Sequence, residues 1–174
     1  WVITHAPGKG SIEEALAANP MPNVRWVYVD LPRWAAFLES PKPGIEHIHY
    51  CLWQLAAWPV AARLDREVRF DLVHHVTFVN FWLPVFAGLL RPPLVWGPVG
   101  GGESAPKALW RSLGFKGWLF EWLRALARST AWFNPLRRIT ARRARVALAT
   151  TEQRAGRMRR LGASRVNAGP EATL

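Results

Sequence analysis

Short stretches rich in β-branched and aromatic residues alternate along this chain with longer helical stretches, and this alternation limits the possible folds more than any other feature. Strands that alternate with helices are typical of βαβ units, in which the strands are parallel and helices cover both faces of the sheet. We therefore predict an α/β fold with an open, Rossmann-like, mainly parallel sheet. The predicted strands are 1–5, 24–30, 71–77, 94–96, 145–150 and 164–168.

The helices are predicted from capping and breaking residues. Ser11 and Glu14 have the spacing of a capping box. Pro59 predicts a kink or a break in a long helix, and Asn134-Pro135 a break in a later one. Thr151 is predicted to cap the last helix and Gly162 to end it. The predicted helices are 12–19, 46–68, 80–90, 105–145 and 152–161.

The composition is that of a single globular domain over residues 1–174. Half of the residues are apolar and a fifth are charged, which argues against disorder. A single cysteine, Cys51, excludes a disulfide framework and indicates either a reducing compartment or no redox demand on the chain. No apolar stretch reaches the roughly 18 residues needed to span a membrane. Because Trp1 already lies in a strand-like stretch and Leu174 follows no capping signal, we interpret the chain as a fragment truncated at both ends.

The net charge of +11 lies almost entirely in the C-terminal part of the chain. Residues 1–106 carry 8 basic and 9 acidic side chains, whereas residues 107–174 carry 15 basic and 3 acidic ones. The Trp- and Arg-rich segment 105–145 fits a packed helix with outward arginines, an interfacial helix or a nucleic-acid surface. We favour packing with a peripheral role at an anionic membrane, because RNA-binding proteins usually carry their aromatic residues on a sheet. The arginines predicted to contact an anionic surface are Arg137, Arg138, Arg142 and Arg143.

Three motifs lie where predicted strands end, the edge at which ligands bind in open α/β sheets. They are His5 with the glycine loop after it, His74-His75 with Thr77, and the glycine run after 94–96. Backbone N–H groups of a glycine loop that opens a helix can bind an anion. The predicted substrate-binding residues are Gly8, Lys9, Gly10, His74, Gly97, Gly100, Gly101, Gly102 and Glu103.

Each motif also has a structural interpretation. A Gly-Pro followed by glycines is often a turn that needs positive φ. Adjacent histidines on a strand point to opposite faces, so at most one faces a cleft, and Glu103 can simply serve the helix dipole. The loops do not fit a P-loop, a dinucleotide fingerprint or a serine-hydrolase elbow. We expect no metal site, because no cysteine or suitably placed Asp accompanies the histidines. We also expect no cofactor.

Three stretches together carry a resemblance to a known family. They are FDLVHHVTFVNFW, PLVWGPVGGGESAP and ALATTEQRAGRMRRLGA, in this order. The chain resembles the N-terminal, acceptor-side domain of the family-4 retaining glycosyltransferases. The resemblance implies one half of the two-domain GT-B fold, with a nucleotide-sugar donor bound mainly by a C-terminal domain. It also implies a glycan or lipid-linked acceptor and transfer with retention of configuration, without an essential metal.

The resemblance implies roles for individual residues. Asp71 and His74 match the family's Asp-x-x-His-x-His strand end, but Val76 occupies the place of the second histidine. The implied catalytic residues are therefore His75 and Thr77. The loop Gly8–Gly10 lies where the family places a glycine loop near the donor phosphates.

A second functional class is a non-catalytic basic module that docks to anionic membrane or nucleic acid through residues 107–160. In that case a strong dependence of affinity on salt, without sequence preference, is expected for nucleic acid. The glycosyltransferase interpretation instead expects that this fragment alone is inactive, because half of the cleft is contributed by the other domain.

Overall fold

The computed structural model describes residues 1–32, 34–35, 45–76, 83, 85–100, 114, 117, 119, 122 and 134–169. Its elements form two compact units, residues 1–69 and 70–174. Every described strand pairs in parallel with its neighbour, and helices pack on the strands in both units. The predicted α/β class is confirmed, whereas the description of the whole chain as one domain stays a prediction.

The first unit has a two-stranded parallel sheet. Strand β1 (Val2–His5) pairs with β2 (Trp26–Val29) from Val2 opposite Trp26 to His5 opposite Val29. A 3-10 turn at Ala6–Gly8 leads into helix α1 (Lys9–Ala18), and α2 spans Ile45–Val68. Because both strands end at the same edge, His5 and the residue after Val29 are neighbours.

The predicted start of α1 is wrong. Gly8 occupies the N-cap position, so Ser11 lies in the first turn instead of capping it with Glu14. The 3-10 turn starts the helical backbone earlier, with the Lys9 N–H bonded to the Ala6 carbonyl. The predicted end is confirmed at Asn19. Pro59 lies inside α2, which continues past it without a break.

The second unit contains the elements β3 (Val73–His75), β4 (Leu94–Val99), α3 (Pro135–Arg143), β5 (Ala144–Ala149), α4 (Glu152–Leu161) and β6 (Val166–Ala168). The four strands form a parallel sheet in the order β3-β4-β5-β6. Asn134 accepts a hydrogen bond from the Leu136 N–H and starts α3, and Gly162, in the left-handed conformation, ends α4 as predicted. The side chain of Thr151, at the N-cap of α4, makes no capping bond.

The core of the second unit lies where α3 and α4 pack on this sheet. Trp96 and Met158 are almost completely enclosed. The buried positions of β5 are the alanines Ala144, Ala147 and Ala149, whose small side chains leave room for these larger ones. The packing of α3 and α4 on the sheet therefore holds the strand ends in place.

Some predictions fall wholly or partly outside the described residues. Within the described part of 80–90, the predicted helix is a 3-10 turn at Phe86–Leu89. Most of the Trp- and Arg-rich segment 105–145 lies outside, apart from residues 134–145 and four single residues. The predicted site residues that lie outside are Thr77, Gly101, Gly102 and Glu103.

Candidate functional site

His74 is held at the end of β3 by the neighbouring strand. It lies opposite Val95 in the β3–β4 register, and its Nε2 donates to the carbonyl oxygen of Gly97 at 2.9 Å. This bond requires the proton on Nε2 and fixes the direction of the ring. The side chain is exposed, so the predicted substrate-binding residue His74 is accessible at the carboxyl edge of the sheet.

Gly97 is a glycine because the neighbouring strand leaves no room for a side chain. Between Trp96 and Val99, β4 uses one residue more than β5, which is a bulge. The φ of Gly97 is +120°, and an added Cβ would lie 2.8 Å from the Val99 nitrogen and collide with the Leu148 carbonyl oxygen. Packing thus explains why residue 97 is a glycine. Gly100, which is half-exposed, directly follows the end of β4.

His75 points to the opposite face of β3 from His74 and is half-buried. Burial and, to a smaller extent, the neighbouring His74 together lower the pKa of His75 to about 4. His75 is therefore neutral at pH 7. A neutral imidazole has one nitrogen that donates a hydrogen bond and one that accepts, and the accepting nitrogen is what the predicted catalytic role requires.

We expect the pKa of His75 to make stability depend on pH. The unfolded chain binds the proton near pH 6.5 and the folded chain only near pH 4, so stability is complete above pH 6.5 and falls as pH drops towards 4. The loss is up to about 3 kcal/mol. Urea denaturation of the wild type and of His75→Gln between pH 7.5 and 4 measures it. A pH dependence that is the same in both proteins contradicts the assignment to His75.

A second polar group lies at the carboxyl ends of β4 and β5. The carbonyl oxygen of Val99 accepts hydrogen bonds from the N–H and the Oγ1 of Thr150, each at 3.3 Å. Arg154, in the first turn of α4, donates to the same Thr150 hydroxyl. The sequence predictions missed Thr150 and Arg154, although both lie in a quoted stretch, after a strand and at a helix start.

The predicted substrate-binding segment Gly8–Gly10 lies at the start of α1, and the charge of Lys9 has neighbours within the first unit. The ammonium of Lys9 lies 3.6 Å from a carboxylate oxygen of Glu13 and 5.6 Å from the centre of the Tyr28 ring. A Cβ on Gly10 would meet nothing within 4 Å, so protein packing does not require this glycine. Glu13 thus partly neutralises the positive charge that Lys9 was predicted to contribute near a phosphate.

An aromatic and carboxylate cluster adjoins that loop at the ends of β1 and β2. The Nε2 of His5 lies 3.7 Å from Asp30 Oδ1, which also accepts the Leu31 N–H at 2.8 Å. The His5 ring contacts His49 edge-on, with centroids 4.8 Å apart, and Trp53 of the same helix donates to the Val29 carbonyl at 2.9 Å. Sequence reasoning missed this cluster, because only the tertiary fold brings α2 onto the strand ends.

The four arginines predicted to contact an anionic surface have different surroundings. Arg137 is fully buried, so it does not lie on the surface that the prediction assumed. Arg143 donates to the Leu90 carbonyl at 2.6 Å but is largely exposed. Arg138 is exposed, and the exposed Arg142 packs its aliphatic part over Gly162.

In the described part of the chain, no group of three or more His, Cys, Asp or Glu side chains could hold a metal ion. No helix in that part is both long and apolar enough to cross a membrane. Comparisons with protein families, with curated proteins and with solved structures gave no match to this chain. The candidate site is therefore defined by its own geometry.

Proposed function

We propose that this chain is the acceptor-side half of a retaining glycosyltransferase that transfers a sugar from a nucleotide-sugar donor to a glycan or lipid-linked acceptor. The main observation in support is the hydrogen bond from exposed His74 to the Gly97 carbonyl, at the carboxyl edge of a parallel sheet. Polar groups at this edge are where open α/β sheets bind ligands. The GPVGGGE stretch begins at Gly97, within strand β4.

The chemistry of the edge is compatible with that role. Neutral His75, the Thr150 hydroxyl and the Arg154 guanidinium can bind hydroxyl and phosphate groups. A glycosyl transfer from a nucleotide sugar releases a diphosphate, so donors at the site stabilise the developing charge. We propose a cytoplasmic protein bound peripherally at the inner face of the cell membrane.

The test is an assay of the full-length protein with a panel of nucleotide sugars, scored by the anomeric configuration of the product. Retention supports the proposal, whereas inversion overturns the retaining assignment. If no sugar is transferred from any donor in the panel to glycan or lipid-linked acceptors, the proposal fails.

We expect Gly101→Val in the full-length enzyme to abolish turnover while the Tm stays within a few degrees of the wild type. The reason is that a glycine has no side chain to block a ligand, whereas a valine has one. Turnover and thermal unfolding are measured on the same preparation. If both fall together, the run is a structural turn instead.

A further inference from the structure

The amino edge of the second sheet, opposite the candidate site, carries a cluster of exposed arginines. It is formed by the starts of β4, β5 and β6 together with the C-terminal ends of α3 and α4, since α3 leads into β5 and α4 leads towards β6. We call this set the amino-edge cluster. Its members are Arg91, Arg142, Arg143, Arg145, Arg160 and Arg165.

Contacts within the unit bring these arginines to one edge. Arg143 bonds the carbonyl of Leu90, beside Arg91. The Arg142 side chain lies over Gly162, two residues after Arg160, and the Arg165 carbonyl accepts the Ala147 N–H. Neighbouring strands lie about 4.8 Å apart, so the cluster follows the sheet edge over three strands.

The helix dipole explains only part of the cluster. Arg142, Arg143 and Arg160 lie in the last turns of α3 and α4, where cations stabilise the helix end. Arg91, Arg145 and Arg165 lie outside helices and gain nothing from a dipole. Within the described residues none of the six forms an ion pair with a carboxylate, and Glu152, the acidic residue of α4, lies 3.6 Å from Arg159, which is not one of the six.

A row of arginines without carboxylate partners among the described residues attracts an anionic partner. Half of the cluster lies on strand starts and the residues before them, and the other half at the ends of two different helices, so no single helix presents the cluster to a nucleic-acid groove for base readout. Phosphate groups of lipids and of nucleic acids are both attracted by surface charge alone, and the peripheral membrane location in the proposed function favours the lipid surface.

We propose that the amino-edge cluster is the surface through which the chain docks to an anionic lipid membrane. The assignment rests on the peripheral location within the proposed function, and it does not depend on sugar transfer.

Co-sedimentation of the full chain with vesicles tests the proposal. Vesicles of phosphatidylcholine with a quarter phosphatidylserine are compared with phosphatidylcholine alone, at low and at high salt. We expect binding only to the anionic vesicles, and a loss of binding at high salt. The variant Arg145→Gln/Arg165→Gln should bind about tenfold or more weakly. The matched control Arg63→Gln/Arg66→Gln removes the same charge from exposed positions of α2 and should bind like the wild type.

Three outcomes overturn the proposal. The first is that both double variants lose the same amount of vesicle affinity, and the second is that binding does not depend on phosphatidylserine. The third is that the chain binds a DNA duplex more tightly than vesicles, and that the Arg145/Arg165 change weakens duplex binding but not vesicle binding. Thermal unfolding confirms that both variants are folded. Transfer to a water-soluble acceptor is measured separately in the full-length enzyme. If transfer fails while vesicle binding is intact, only the transferase assignment is overturned. If vesicle binding fails while transfer is intact, only the docking surface is overturned.

Discussion

Replacing Gly97 with valine is expected to lower the free energy of unfolding of the second unit by at least about 4 kcal/mol. The backbone of Gly97 has a φ of +120°, which a β-branched residue adopts only with strain. The new Cβ would lie 2.8 Å from the Val99 nitrogen and would collide with the carbonyl oxygen of Leu148 on β5. Both obstacles are backbone atoms of paired strands, so a side-chain rearrangement cannot relieve them.

Urea denaturation followed by tryptophan fluorescence measures the loss. The matched control is Gly156→Ala in α4 of the same unit, where an added Cβ meets nothing within 4 Å. In a helix interior this change is expected to stabilise by about 0.5–1 kcal/mol. If Gly97→Val loses less than about 1 kcal/mol, packing does not explain the glycine.

The sequence predicted the strands well because their residues carry a local signal. β-branched and aromatic stretches predicted all six described strands to within a few residues. It missed the start of α1, because a 3-10 turn precedes the helix and leaves no capping side chain. It also ended β4 at Trp96, since Gly97-Pro98 reads locally as a turn although β5 supports the strand to Val99.

The candidate site was predictable only where its residues follow strands directly. His74 was found from its place in the chain, but its bond to Gly97 joins residues 23 positions apart. Thr150 and Asp30 acquire their partners from neighbouring strands and helices. A single sequence does not reveal such pairings, because they depend on tertiary register and not on local pattern.

Arg137 and Arg138 are adjacent and were predicted from the sequence to have the same role, but only Arg137 is buried. We therefore expect substitutions of the two residues to have clearly different effects on stability. Arg137 is fully enclosed in α3, and burial lowers its pKa to about 10, so it is still charged at pH 7. Arg137→Ala leaves a cavity in the place of a long, enclosed side chain, with an expected loss of about 3–5 kcal/mol.

Arg138→Ala, at the next and exposed position, should change stability by less than about 0.5 kcal/mol. Arg137→Met, which fills a similar volume without a charge, should recover much of the loss because buried ions are costly to desolvate. Chemical denaturation of the three variants compares these values. If Arg137→Ala instead keeps wild-type stability and weakens vesicle binding, the side chain serves the surface, as the sequence alone had predicted.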